Sequence, residues 1–154
     1  MAEPILRSFD IHPDIRLTRQ GDSLLDFSLG CRAQLEGVLS AGEWATVVVQ
    51  GDTESAFLGA LAGFYNSVPV AHVEAGLRTY NLRRPFPEEG LRQMIGRIAR
   101  LHFAPTERSR QALLAEGVPA QRVWVTGNTV IDAQQWVCAH RGVRRRASGR
   151  GHLL

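Results

Sequence analysis

The sequence contains no lysine, because all 18 of its basic residues are arginine. A lysine that acts as a general base, forms a Schiff base or binds phosphate in a P-loop is therefore excluded from this chain. The sequence has only two cysteines, Cys31 and Cys138, which lie far apart, so we expect reduced thiols and no disulfide framework. Its five histidines lack the spacing of metal ligands, and we expect no metal site.

Long apolar runs are also missing, since none approaches the ~20 residues that a membrane span needs. The first residues do not combine a basic patch with an apolar core, which is the pattern of a signal peptide. We therefore expect a cytoplasmic protein that has no membrane partner.

The positive charge is concentrated at one end of the chain. Residues 139–154 hold five arginines and no acidic residue, although the whole chain carries a net charge of only +3. This segment contains no aromatic residue that would stack on bases, so we expect no nucleic-acid binding. We predict a disordered or out-of-frame tail at 139–154, which leaves one domain at 1–138.

Apolar runs of strand length alternate with helical patterns from residue 45 onward. Strands are predicted at 45–50, 68–73, 101–104 and 122–125, with helices at 54–66, 88–100 and 107–116 between them. This alternation predicts an α/β fold, a Rossmann-like parallel sheet with helices on both faces. Residues 22–40 are predicted to form a further helix, whereas residues 1–21 show no clear period and are predicted to be irregular.

Polar residues follow the predicted strands at the edge where such sheets bind ligands. Asp52 and Glu74 follow the first two strands, and Asn128 follows the last. Each acid has a simpler explanation: Asp52 or Thr53 would cap a helix, and Glu74 would pair with an arginine of the next loop. Glu88 and its neighbour would favour a helix start. Together, however, the acids predict a site for proton transfer.

Five motifs in this region closely resemble the non-hydrolysing UDP-N-acetylglucosamine 2-epimerases of bacteria. They are Val-Gln-Gly-Asp-Thr at 49–53, His-Val-Glu-Ala-Gly-Leu-Arg at 72–78, Pro-Glu-Glu at 87–89, Phe-Ala-Pro-Thr-Glu at 103–107 and Thr-Gly-Asn-Thr-Val-Ile-Asp-Ala at 126–133. Their order and spacing both fit, and the resemblance is strong from about residue 45 to 138.

The resemblance implies a two-domain fold of the glycosyltransferase-B type, in which the active site lies between the domains. It implies interconversion of UDP-GlcNAc and UDP-ManNAc, for cell-surface polysaccharide precursors, with no cofactor. UDP is eliminated as the C2 proton is removed, and then adds back with C2 inverted. By motif match the catalytic residues are Asp52, Glu74 and Glu88, and the substrate-binding residues are Gly51, Arg78, Arg92 and Asn128.

The resemblance also implies that this chain is a partial first domain. The first strand with its nucleotide-facing turn is missing, and so is the second domain, which contributes most of the contacts to UDP. We therefore expect no measurable epimerisation from the chain alone, and a homodimer or a chain carrying the second domain as its partner. The alternatives are a non-catalytic half-domain that pairs with a separate UDP-binding chain, and a degraded reading frame.

Overall fold

The structure, a computed structural model, describes residues 2–140 of the chain. Its strands are β1 (Val47–Gln50), β2 (Val70–Val73), β3 (Leu101–Ala104) and β4 (Val123–Val125). Its helices are α1 (Ala2–Ser8), α2 (Leu24–Ser40), α3 (Glu54–Tyr65), α4 (Glu88–Ile98), α5 (Glu107–Ala115) and α6 (Thr129–His140), and a 3-10 turn spans Ala120–Arg122.

The four strands form one parallel sheet in the order β1-β2-β3-β4. Val49 lies opposite His72, His72 lies opposite His102, and His102 lies opposite Val123, so these side chains share one face. The parallel α/β fold that the sequence predicts is confirmed, with each predicted strand observed within two residues of its expected start. Because successive neighbours are joined by right-handed crossovers, α3, α4 and α5 lie on the same face.

Two apolar clusters fill the space between this face and the helices. One joins β1 and β2 to α3 and α4 through Val49, Val70 and Ile95, and the other joins β3 and β4 to α5 around Leu113. Helix α3 approaches the sheet closely, since a Cβ atom on Gly63 would lie 2.9 Å from Val70 Cγ2. Small residues on α3 therefore set the distance between helix and sheet.

The opposite face of the sheet is less protected. Val48 of β1 is 61% exposed, and Trp124 of β4 is 43% exposed. A continuous apolar run such as that of β1 is typical of a strand buried on both faces, but Val48 is not covered. Sequential crossovers place the three connecting helices, α3, α4 and α5, on the other side of the sheet.

The predicted helix starts are largely correct. Ser23, Thr53 and Thr106 each accept a hydrogen bond from a backbone N–H in the first turn of α2, α3 and α5. These caps satisfy donors that have no partner inside the helix. Since Thr53 caps α3, the neighbouring Asp52 carboxylate is left available for another contact.

The N-terminal segment differs from its prediction. Residues predicted to be irregular form α1, which includes Pro4. Proline is tolerated there because first-turn amides have no acceptor within a helix, and Glu3 and Arg7 pair across one turn at 3.6 Å. Neither 9–11 nor 15–17, which show short alternating patterns, forms a strand in the structure.

At the other end, α6 runs to His140 and so includes the first two residues of the predicted tail. The rest of that tail, 141–154, lies outside the described residues. Within residues 2–140 no helix is both long and apolar enough to cross a membrane.

Candidate functional site

The predicted site residues lie at the carboxyl edge of the sheet. Gly51 and Asp52 follow β1, Glu74 follows β2, and Asn128 follows β4. Gly51 has a φ of +75° and Glu74 a φ of +65°, so the chain turns in the left-handed region directly after both strands. For glutamate this conformation is uncommon and strained, which is typical of functional positions.

Asp52 is held by an arginine from α4. Nη1 of Arg92 donates to Oδ2 of Asp52 at 2.9 Å, and the Asp52 side chain remains 28% exposed. Asp52 does not cap α3, because that role belongs to Thr53. The contact fixes one carboxylate oxygen at the sheet edge and leaves the other without a hydrogen bond among the described residues.

The other edge of the Arg92 guanidinium binds Glu89, which is fully buried. Nε of Arg92 donates to Oε2 of Glu89 at 2.8 Å, and Nη2 donates to the same oxygen. The backbone N–H groups of Thr79 and Tyr80 donate at 3.0 Å each, and Nε2 of Gln93 donates at 2.7 Å. Burial opposes ionisation, but these donors outweigh it and lower the pKa of Glu89 to about 2.

Glu74 lies beside Gly51 and has no such support. A Cβ atom on Gly51 would lie 3.6 Å from Oε2 of Glu74, so the glycine leaves open space next to this carboxylate. The half-buried Glu74 side chain makes no hydrogen bond or ion pair within residues 2–140. The alternative explanation from the sequence, a salt bridge to Arg78 or Arg83, is not observed.

Arg78 points elsewhere. Its Nε and Nη2 donate to the two carboxylate oxygens of Glu116 at 2.7 and 2.9 Å, and its side chain is 2% exposed. Nη1 donates to the Leu77 carbonyl oxygen at 2.8 Å. This geometry favours a structural role that ties the loop after β2 to the end of α5, in place of the predicted contact with substrate.

Glu88 and Asn128 occupy the remaining predicted positions. Glu88 opens α4, is half-buried and makes no hydrogen bond in the described part of the chain. Oδ1 of Asn128 accepts from the Val130 backbone N–H at 3.0 Å, and Nε2 of Gln50 donates to Oγ1 of Thr129 at 3.0 Å. Asn128 therefore shapes the start of α6, which lies beside the end of β1.

Two histidines lie beneath this edge, in neighbouring strands. His72 and His102 are each 1% exposed. Nε2 of His72 bonds to the Gly51 carbonyl oxygen at 2.8 Å, whereas Nδ1 of both rings finds no hydrogen-bond partner within residues 2–140. Burial lowers the pKa of each to about 4. The hydrogen-bonding capacity of His72 is thus used at one of its two ring nitrogens among the described residues.

Sequence reasoning missed the residues that support the site. Glu89 was assigned no role of its own, although its spacing of three from Arg92 is typical of a helical ion pair. Glu116, which binds Arg78, lies 38 positions along the chain, and no local signal predicts that contact. Among residues 2–140, no three histidine, cysteine, aspartate or glutamate side chains are grouped as metal ligands would be.

The fold and this edge define a Rossmann-like α/β domain with several carboxylates at its ligand-binding end. The chain belongs to the UDP-N-acetylglucosamine 2-epimerase family, whose model matches residues 1–150. It is 48% identical over 139 residues to the UDP-N-acetylglucosamine 2-epimerase of Yersinia pestis. It is 50% identical over 135 residues to a probable UDP-N-acetylglucosamine 2-epimerase of Ralstonia solanacearum. The family is one of isomerases, as the sequence motifs predict.

Comparison with solved structures leads to the same family. The structure resembles that of UDP-GlcNAc 2-epimerase from Neisseria meningitidis bound to UDP-GlcNAc, with a TM-score of 0.87 and 41% identity. That match covers 93% of this chain and 40% of the Neisseria chain. Among the curated relatives, the Yersinia match covers 89% of this chain and 37% of the relative, and the Ralstonia match covers 86% and 36%. The chain thus spans little more than a third of the length of these relatives.

Proposed function

We propose that this chain supplies the acid/base carboxylates of a UDP-GlcNAc 2-epimerase, which interconverts UDP-GlcNAc and UDP-ManNAc in the cytoplasm. The observation that supports this most directly is the placement of Asp52 and Glu74 at the ends of neighbouring strands, within a chain of this family. Glu88 completes the proposed set from the start of α4. The product serves the synthesis of cell-surface polysaccharide precursors.

The proposed reaction has two stages. A carboxylate removes the C2 proton while UDP leaves from C1, which forms an enzyme-bound 2-acetamidoglucal. UDP then adds back to C1, and a proton returns to C2 on the opposite face. The C2 proton is weakly acidic, so the base has to work in an oriented, water-poor cleft with the leaving diphosphate stabilised.

The three proposed acids differ in the hydrogen bonds that hold their carboxylates. Asp52 is oriented by Arg92, whereas the side chains of Glu74 and Glu88 have no hydrogen-bond partner within residues 2–140. All three together form the acid/base set around C2 and the glycosidic oxygen. Gly51 gives the sugar close approach to the backbone, and Asn128 and the unused N–H groups of Arg92 offer donors to the substrate.

The chain contains about a third of its relatives' length, so we propose that it acts together with the part that supplies the other side of the cleft. That part is either in a second chain or in a longer form of this one, and the whole forms a homodimer. Alone, the 154-residue chain is expected to show no epimerisation.

The test is exchange of the C2 proton. The 154-residue chain is incubated with UDP-GlcNAc in D₂O, and deuterium at C2 is followed by NMR. In parallel, the matched 139-residue region replaces its counterpart in the Yersinia pestis relative. We expect no exchange with the chain alone and clear exchange with the graft, which Asp52→Asn in the graft reduces by a factor of at least 10².

An exposed residue at the opposite, amino edge of the sheet provides the control: Arg100→Gln, directly before β3, is expected to exchange at the parent rate in the graft. If the graft folds like the parent but exchanges no C2 proton, the proposed function is wrong. Exchange by the isolated chain that Asp52→Asn removes would overturn the proposed need for a second part.

A further inference from the structure

We infer that Glu89 is a positioning residue for the proposed reaction, because it fixes Arg92 and, through Arg92, the orientation of the Asp52 carboxylate. The inference rests on the proposed function for its meaning in catalysis. The contacts that carry it are independent of that function. Glu89 itself does not touch the site, since its side chain is fully buried.

Glu89 joins two separate parts of the fold. Its oxygens accept from the N–H groups of Thr79 and Tyr80 in the loop after β2, and from Arg92 and Gln93 one turn along α4. A carboxylate that accepts this many donors in a buried place has one orientation. Glu89 therefore gives the Arg92 guanidinium a partner whose position is fixed.

Arg92 in turn fixes the orientation of the Asp52 carboxylate. A guanidinium is planar, and its donors form a fixed fork, so binding one edge sets the direction of the other. Nε and Nη2 are bound by Glu89, and Nη1 is thereby directed at Oδ2 of Asp52, 2.9 Å away. Asp52 is thus held by one oxygen, and its other oxygen is presented at the sheet edge.

The adjacent Glu88 shows that this role is specific to position 89. Successive helical residues point about 100° apart, so the two side chains of one Glu-Glu pair face different surroundings. Glu89 is fully buried and accepts from four residues, whereas Glu88 is half-buried and unpaired in the described chain. Glu88→Gln is therefore a matched control for Glu89→Gln.

A double-mutant cycle with a third site tests the inference on the 154-residue chain. The melting temperatures of Glu89→Gln, Asp52→Asn and the double variant are measured with Arg92 present, and again with Arg92→Met. Within residues 2–140, Asp52 is the counter-ion that Arg92 retains once Glu89 is neutral. We therefore expect the double variant to lose about 3 °C more than the sum of the single variants. With Arg92→Met the shifts should add.

If Glu89 only anchors the loop at Thr79 and Tyr80, the shifts add in both backgrounds, and the positioning role is refuted. Should Glu89→Gln fail to fold, Glu89→Asp keeps the charge but shortens the reach, and the Asp52 carboxyl carbon is followed by NMR. Its resonance is expected to move in Glu89→Asp and to stay in place in Glu88→Gln. An unmoved resonance in Glu89→Asp contradicts the inference.

The two experiments distinguish a failure of the proposed function from a failure of the positioning role of Glu89. Non-additive shifts in the cycle together with no C2 exchange in the graft would refute the proposed function and leave the link between Glu89 and Asp52 intact. Additive shifts together with C2 exchange would refute the positioning role alone.

Discussion

The carboxyl edge of the sheet has a fixed side and an open side. On the fixed side, Asp52 and Glu89 bind opposite edges of the Arg92 guanidinium, and Glu89 is fully buried. On the open side, Glu74 and Glu88 are half-buried and make no hydrogen bond within residues 2–140. Each side carries two acids, and the two sides differ in the hydrogen-bond donors that hold those carboxylates.

This difference indicates that the carboxylates of the two sides have different roles. A carboxylate that accepts several donors is held in one charge state and one orientation, which suits a support. A carboxylate without competing partners is able to exchange a proton with a ligand, which suits general acid/base chemistry. The fixed side thus holds Asp52 in one orientation for its proposed part in proton transfer, and the open side leaves Glu74 and Glu88 unpaired among the described residues. The predictions below test that contrast.

The largest effect is expected from truncation on the fixed side. Glu89→Ala leaves Arg92 and two backbone N–H groups buried without their acceptor, and removal of one member of a buried ion pair costs about 3–5 kcal/mol. Glu88→Ala removes an unpaired side chain and is expected to change the free energy of unfolding by less than about 0.5 kcal/mol. Urea unfolding of both variants measures the difference, and equal losses would remove the distinction between the two sides.

The histidines beneath the edge predict a dependence of stability on pH. Burial lowers the pKa of His72 and His102 from 6.5 to about 4 in the folded chain. Between these values the unfolded chain binds more protons, so the free energy of unfolding falls as the pH drops from about 6.5 to 4. A shift of this size corresponds to about 3 kcal/mol for each imidazole. Glu89 contributes a further loss only below its unfolded pKa of 4.5, as the pH approaches about 2.

Denaturant unfolding at a series of pH values measures this slope. His72→Gln keeps a donor for the Gly51 carbonyl oxygen but does not titrate, and it is expected to remove about half of the loss between pH 6.5 and 4. His12→Gln, at a side chain that is 86% exposed, is the control and should retain the slope of the parent chain. A flat profile in the parent chain would show that the buried imidazoles do not govern acid stability.

Local patterns were sufficient to predict most of the sheet. The β-branched run before Gly51, the threonine caps at 53 and 106, and the glycine after α5 each act within a few residues. The order β1-β2-β3-β4 places consecutive strands side by side, and the right-handed crossover then determines the face on which each connecting helix lies. The proposed catalytic positions came from the motif match, and for Asp52 and Glu74 the rule that carboxyl ends of parallel strands meet at one edge points to the same place.

The contacts that support the site could not be predicted in the same way. Arg92 reaches Asp52 across 40 positions, and Arg78 reaches Glu116 across 38. The sequence offers each arginine 15 acidic residues as partners, and the choice among them depends on burial and helix orientation in three dimensions. The exposed Val48 was missed for a related reason, since its run of valines does not reveal which face lacks a cover.

The smallest effect, and the sharpest test of the open side, concerns the backbone of Glu74. Its φ of +65° is the left-handed conformation that glycine adopts without strain. We expect Glu74→Gly to raise the free energy of unfolding by about 1 kcal/mol relative to Glu74→Ala, because alanine keeps the strained conformation. Both variants lose the carboxylate, so both should abolish C2 exchange in the graft.

This pair of variants separates strain from chemistry at one position. A gain in stability with a loss of exchange indicates that the fold tolerates an unfavourable backbone conformation in order to place a carboxylate beside Gly51. If Glu74→Gly is no more stable than Glu74→Ala, the conformation carries no strain, and the open side is as relaxed as the fixed one. If instead Glu74→Gly retains exchange, Glu74 is not a member of the acid/base set, and only Asp52 and Glu88 remain to share the proton transfers.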